Sequence, residues 1–533
     1  MRRTRRTARI GPAVQTLLLA AAIAAPAARA RAELVASPDR PVGWRGDGSG
    51  RFPDALPVTK WSQTSNVVWK APMSGWTISH PVVVGDVVFT SAEPTTLLCL
   101  RRSDGRILWR RTHEFEDMLS PAMREKVKRD LATASGLRKS QLRTLTQRLN
   151  EIKQELRFKS KDSAILRRKA GLEGRIKALR ERLAALEKYR PVPPHRTRGH
   201  SFATPVSDGQ WVYVFFGNGV AAAYDLAGER KWIRWVRRPA TDYAPAMSPA
   251  LVGRTLVVSI NDRIVGLNAA NGSDAWEVKV APKTGGFALG RVGKSDVVVT
   301  AGGEIYRGSD GKRLIQMGFP ARAHYSTPVI HEGVLYFLGE REHVLARRLV
   351  DERGAVRLKG IAAALVPEGT YYASPLVHDG RIYVCESRGK LSVIDARTGS
   401  WIGSKKLRLG GQAHPSPTLG GTHIFVGSDN GVISVLKPTY VRSGGGEPTF
   451  KLPEVARNQL EPGRGCPVFA GWQMFWRSYK SLYCIGEVPP NGGGTTTGPA
   501  KPKHTQPTKP AGVSLKVLLG EVPPPPPNKR DEK

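Results

Sequence analysis

The residues best placed to meet a ligand sit just ahead of a recurring proline. Arg322, His324 and Tyr325 precede Thr327-Pro328, while Tyr371 and Tyr372 precede Ser374-Pro375. His414 precedes Ser416-Pro417, and Arg464 precedes Cys466-Pro467. His200 and Tyr243 stand a few residues ahead of Thr204-Pro205 and Ser248-Pro249. Aromatic, imidazole and guanidinium groups that converge on one opening suit a sugar, a peptide or an anionic small ligand. The plainer alternative packs the tyrosines between structural units and leaves the arginines in water. Covalent and metal chemistry find no support. The chain has no Gly-x-Ser-x-Gly elbow, no phosphate loop and no His-Glu-x-x-His. It also lacks any Cys-x-x-Cys pair for zinc and any Cys-x-x-Cys-His for haem. No catalytic residue, metal ligand or cofactor follows from the residues themselves.

The elements that position these residues recur along the chain. A small residue, a Pro, an apolar strand, a Gly or Asp turn and a second apolar strand begin at His80-Pro81, Thr204-Pro205, Ser248-Pro249, Thr327-Pro328, Ser374-Pro375, Ser416-Pro417 and Cys466-Pro467. A degenerate copy without the Pro runs from Phe287 to Thr300. Apart from one interruption the period is about 40 to 50 residues, that of a four-stranded propeller blade. The second half of a unit has its own signature, an apolar strand, a polar turn with Gly, and Trp four residues on. Gly105 with Trp109, Gly228 with Trp232, and Gly272 with Trp276 repeat it, whereas Gly399 is followed early by Trp401. The Gly takes positive φ, and the Trp can be buried between neighbouring blades. The last unit lacks its outer Trp strand, and Asn66 to Lys70, with Trp69, is an orphan outer strand. Pairing the two would close a ring and remove its edges. The reading is all-β, an eight-bladed propeller, or seven-bladed if the degenerate copy merges with a neighbour. The Pro-anchored strand would be innermost, which places the opening residues at one mouth of a central channel.

These units resemble the pyrroloquinoline-quinone-type (PQQ-like) propeller repeat family, which includes quinoprotein alcohol dehydrogenases and the scaffold lipoprotein of outer-membrane barrel assembly. Gly43-Trp44-Arg45-Gly46-Asp47-Gly48-Ser49-Gly50, with Leu56-Pro57, is similar to the leader of exported members. The likeness covers about residues 43–116 and 197–487. Catalytic relatives imply a bound quinone, calcium held by carboxylate and amide ligands, an Asp base and often an adjacent Cys-Cys pair. Here Cys99, Cys385, Cys466 and Cys484 are all separated, and no segment concentrates Glu, Asn and Asp as calcium needs. The resemblance thus favours a non-catalytic binding or assembly scaffold. PQQ with calcium is implied only by the rival reading, a quinone-dependent dehydrogenase, and a glycan or acidic-polymer binder is a third. Cys484 could bridge to Cys99 or to Cys466 in an oxidising compartment, and free buried thiols are the other outcome.

Three further segments complete the organisation. Residues 1–32 read as a signal peptide, with Arg2, Arg3, Arg5, Arg6 and Arg9 ahead of an apolar run and a small-x-small site at Ala30-Arg31-Ala32. A periplasmic or extracellular protein follows from it. Residues 33–116 hold the closing strand and first blade, 191–487 the remaining blades, and 488–533 a Pro-rich disordered tail. Residues 117–190 carry heptad seams at Leu142, Leu145, Leu149, Ile152, Leu156 and at Leu172, Ile176, Leu179, Leu183, Leu186, an antiparallel coiled-coil hairpin. The whole chain has a formal charge of +37 over 533 residues, and this hairpin holds 21 basic against 9 acidic side chains. The expected partner is an envelope protein or an acidic polymer. Nucleic acid is not expected, since only Phe158 and Tyr189 stand among the hairpin's 21 basic residues and the chain reads as exported.

Overall fold

The computed structural model describes residues 36–195, 199–241, 247–280, 284–316, 325–338, 343–441 and 449–487. The segment read as a signal peptide, the C-terminal tail, Tyr243, Arg322 and His324 lie outside them.

Each Pro-anchored unit becomes one antiparallel sheet, because its short apolar strands are joined by turns with positive-φ glycines such as Gly85 and Gly253. Eight such sheets occur among the described residues. The first comprises Val82–Val84, Val87–Ala92, Thr96–Arg101 and Ile107–Thr112. The degenerate copy also forms a sheet of its own, Ala288–Val292, Ser295–Val299, Ile305–Arg307 and Arg313–Ile315. In the eighth, Val468–Ala470, Gln473–Arg477 and Ser481–Ile485 are joined by Val67–Pro72 from the other end of the chain. Trp69 lies opposite Cys484 and Lys70 opposite Tyr483.

Strands buried on both faces have no polar side, so they read as apolar runs instead of alternating. In the fourth sheet Val297 and Val299 pack toward the fifth sheet, and Val298 packs toward the third. Every consecutive pair of sheets shares one such cluster. The eighth and first sheets share another, in which Phe475, Leu482 and Trp69 meet Val88, Leu98 and Leu100.

Tryptophan spaces these interfaces. Trp69, Trp109, Trp232 and Trp276 each lie on the outer strand of one sheet and donate an indole N–H to a carbonyl of the next. The acceptors are Arg102, Leu226, Ala269 and Gly308, at 2.9, 3.1, 2.8 and 2.9 Å. Each ring rests on that sheet's turn glycine, Gly105, Gly228, Gly272 or Gly311, where a Cβ would fall within 2.5–2.7 Å of it. Trp401, two residues after its glycine, remains 47% exposed.

The insertion is helical. α1 (Pro121–Leu137) is capped by Ser120, whose hydroxyl accepts from Met123 N. It passes through a π-turn, Arg138–Leu142, into α2 (Arg143–Phe158) without leaving helical geometry. Asp162 caps α3 (Ser163–Leu186). The pairs Arg138–Glu187 and Arg168–Glu155 show that α3 runs back along the first two helices. Leu179 and Leu183 pack with Ala134, Leu142 and Leu145. The leucine seams did not announce α1. Its Met123, Val127 and Leu131 instead cover Val220, Ile233 and Trp235 of the second sheet, anchoring the base of the insertion there. Among the described residues no helix is long and apolar enough to cross a membrane.

Candidate functional site

After His80, the residue before each anchoring proline is Thr, Ser or Cys for a reason the sheets reveal. Proline has no N–H, so the preceding residue's N–H is the last donor on the innermost edge and needs an acceptor. The neighbouring unit supplies it. His80 N donates to Thr204 Oγ1 and Thr204 N to Ser248 Oγ, both at 3.0 Å. Gly286 N donates to Thr327 Oγ1 at 2.7 Å, Thr327 N to Ser374 Oγ at 2.8 Å, and Ser374 N to Ser416 Oγ at 2.9 Å. Ser416 N ends the series on Cys466 Sγ at 3.2 Å.

These residues line a cleft of about 220 Å³ together with Tyr325, Tyr372, His414 and Arg464. Tyr372 stacks on His414, centroids 4.3 Å apart and planes 11° apart, and Tyr325 meets Tyr372 edge-on at 5.2 Å. Asp429 ties the far side, with Oδ2 3.3 Å from His414 Nδ1 and 3.7 Å from an Arg464 nitrogen. Its other oxygen accepts from Gln412 N at 2.9 Å. Beyond Arg464, Tyr479 stacks on Trp76 at 4.4 Å and 13°, and Trp76 is half exposed.

Four of the sequence-selected residues therefore come together: Tyr325, Tyr372, His414 and Arg464. Tyr371 does not, because neighbouring residues point to opposite faces. Its hydroxyl donates to Pro367 O, and the ring packs at the boundary of the fifth and sixth sheets. His200 is also elsewhere, with Nε2 3.1 Å from Val192 O and its backbone N–H on Glu93. Sequence reasoning missed Asp429, Trp76 and Tyr479. Asp429 sits in the Ser428-Asp-Asn-Gly431 hairpin and reads as a turn residue, while Trp76 alone, just ahead of the His80-Pro81 anchor, carried a signal that could have been used.

The leader supplies the remaining wall. Gly43, Trp44, Gly46, Asp47 and Gly48 line the cleft, and Trp44 meets His80 edge-on. Arg45 is fully buried and donates to Pro375 O at 3.3 Å and Pro417 O at 2.6 Å, the carbonyls of two anchoring prolines. Its backbone is left-handed at φ +55°, and Gly50 leaves room for the guanidinium, since a Cβ there would lie 2.3 Å from it. Val42 pairs with Ser207 of the second sheet, and Arg51–Phe52 adds to the seventh in parallel. Burial holds Arg45 at about 10, and burial beside that cation drives His80 down to about 3, so His80 is neutral.

The donor set does not fit a calcium-held quinone. The carboxylates at the cleft are already engaged, Asp47 by Ser49 and Asp429 by His414 and Arg464. Among the described residues no group of three or more His, Cys, Asp or Glu could hold a metal ion. The cysteines are free and buried, so neither bridge considered for Cys484, to Cys99 or to Cys466, is made. Burial raises Cys99, Cys385 and Cys484 to about 12, which keeps these thiols protonated and inert.

Repeated four-stranded sheets, Trp-on-Gly docking and a Pro-anchored inner edge make the chain similar to PQQ-like propeller repeat proteins. The family model described as "Outer membrane protein assembly factor BamB" matches residues 55–135 and 195–346. No curated protein matches the chain. Among solved structures, BamB from Moraxella catarrhalis is similar at 14% identity and TM-score 0.40, covering 52% of this chain and 83% of that one. The quinohemoprotein alcohol dehydrogenase of Comamonas testosteroni is similar at 10% identity and TM-score 0.43, covering 84% and 81%. The enzyme ADHIIG from Pseudomonas putida HK5 is similar at 12% and 0.41, covering 89% and 83%.

Proposed function

We propose that this protein is an exported, non-catalytic propeller whose eight sheets are blades closed into one ring. It acts as a binding or assembly scaffold in the cell envelope, periplasmic or extracellular, with the coiled-coil insertion as a second docking surface. The observation that carries the reading is the leader, with Arg45 buried between the Pro375 and Pro417 carbonyls. A quinone-dependent dehydrogenase would need calcium ligands beside its cofactor, and the cleft's carboxylates are engaged, Asp47 by Ser49 and Asp429 by His414 and Arg464. The matched family description, an assembly factor, supports the same direction. The test is reconstitution of the purified protein with PQQ and calcium. No bound-quinone absorbance and no dye reduction are expected, and a stoichiometric quinone complex would overturn the proposal.

A second reading, a glycan or acidic-polymer binder, draws on the Trp76–Tyr479 and Tyr372–His414 stacks, since flat rings suit sugar faces. Polysaccharide pull-downs with Trp76→Ala and Tyr372→Ala address it. Capture that survives both substitutions places the glycan elsewhere.

A further inference from the structure

Away from the cleft, a second concavity of about 790 Å³ lies between the helical insertion and the end of the second sheet. Its walls carry five cations, Arg138, Arg180, Lys188, Arg237 and Arg238, against one carboxylate, Glu187. That carboxylate is spent. Glu187 takes both arms of Arg138, Nε at 2.6 Å, and also Arg190 at 3.2 Å. Arg237 reaches out to Glu277 at 3.0 Å, and Arg238 donates to the Arg190 carbonyl at 2.7 Å. Burial, with a smaller part from the neighbouring Arg190 and Arg138, depresses the basicity of Arg238.

The lining is not only charged. Half-buried Leu142 and Val236 contribute an apolar floor over the buried Leu183 and Trp235. The π-turn Arg138–Leu142 has both its end residues on this groove. Such a turn widens a helix locally and is retained mostly at functional places. Here it turns one residue, Arg138, onto Glu187 and leaves the other, Leu142, in the lining of the groove.

We propose that this groove docks an acidic amphipathic segment of a partner protein, apolar residues on the floor and carboxylates against Arg180, Lys188 and Arg238. The proposal rests on the scaffold reading and names where and by what chemistry the insertion engages. Charge complementarity selects the occupant: the groove has excess cations and an already neutralised acid. A polyanion without apolar groups would leave the floor wet, and a flat anionic membrane would not enter a concavity. A helix carrying Leu on one face and Glu on its flanks satisfies both features.

The test uses the full chain and a fluorescent peptide of about 15 residues with Leu and Glu at helical spacing. Anisotropy should report saturable, salt-sensitive binding. Arg180→Glu with Lys188→Glu should weaken it about ten-fold, whereas the same reversal at the hairpin turn, Lys159→Glu with Lys161→Glu, should change it less than about two-fold. Replacing the peptide's Leu with Ser should also cost about ten-fold. Equal loss from the turn variant, or equal affinity for polyglutamate, would overturn the groove. Absence of peptide binding overturns it too, and leaves the scaffold reading to the quinone experiment. Circular dichroism of both variants, expected to match the parent helicity, guards against misfolding, and Arg237→Glu supplies a second variant.

Discussion

Replacing Trp232 with Ala tests what spaces the sheets. The side chain is 7% exposed, its N–H reaches Ala269 O at 2.8 Å, and its ring lies on Gly272. Truncating a buried Trp costs about 3–5 kcal/mol, and the orphaned carbonyl adds about 1. Gly272→Ala attacks the contact from the other side. At φ +74° an alanine is strained by about 1 kcal/mol, and its Cβ would sit 2.6 Å from the ring, adding about 1–3. The clash exists only while the ring is there. The double variant should therefore cost about 1–3 kcal/mol less than the sum of the singles. Trp401→Ala, at 47% exposure, should cost under about 1 kcal/mol. Denaturant unfolding followed by circular dichroism measures all four. Additivity of Trp232→Ala and Gly272→Ala, or a Trp401 effect as large as that of Trp232, would refute the docking argument.

Other outcomes follow from the same geometry. Arg45→Met should destabilise by about 2–4 kcal/mol by orphaning two carbonyls, and hydrogen exchange should quicken at Leu419 and Gly421, whose amides bond Gly50 O and Phe52 O. Unchanged exchange there would separate Arg45 from the leader's anchoring. Ser374→Ala removes the acceptor of Thr327 N and should cost about 1–2 kcal/mol in stability, against near-neutrality for an exposed serine such as Ser309. Buried His80 and His113 are held down to about 3 and about 4, so the unfolded chain binds more protons below about pH 6.5. Stability is full above that pH and falls on acidification toward 4, by up to about 1.4 kcal/mol per pH unit for each histidine. Equal denaturation midpoints at pH 7 and pH 5 would contradict the assignment.

What was legible in the sequence was whatever repeats. Pro81, Pro205 and their successors recur because seven units make the same inner edge, and Gly105 and Trp109 recur because four interfaces share the same joint. Even the degenerate unit from Phe287 kept enough valines to be recognised, and it forms its own sheet. Tyr372 and His414 could be paired in advance because they hold equivalent places in adjacent units. Tyr371 could not be separated from Tyr372, since a single-residue step changes the face and spacing alone does not fix register. Asp429, Trp76 and Tyr479 belong to connections that no period governs. α1 escaped notice because Met123, Val127 and Leu131 serve the second sheet, and only its last turns, through Ala134 and Leu137, join the leucine seam.

The leader also orders events in time. Arg45 lies 330 residues before Pro375 and 372 before Pro417, so its acceptors are synthesised long after it. Contacts of such separation form late, after the chain entropy of bringing them together has been overcome. The stretch from Val42 to Phe52 must therefore wait while the sheets assemble, then settle against the second and seventh together. A chain interrupted before its seventh unit could build several sheets and would still have no seat for Arg45. The buried guanidinium thus reports on completeness, engaged only when the far end of the protein has arrived.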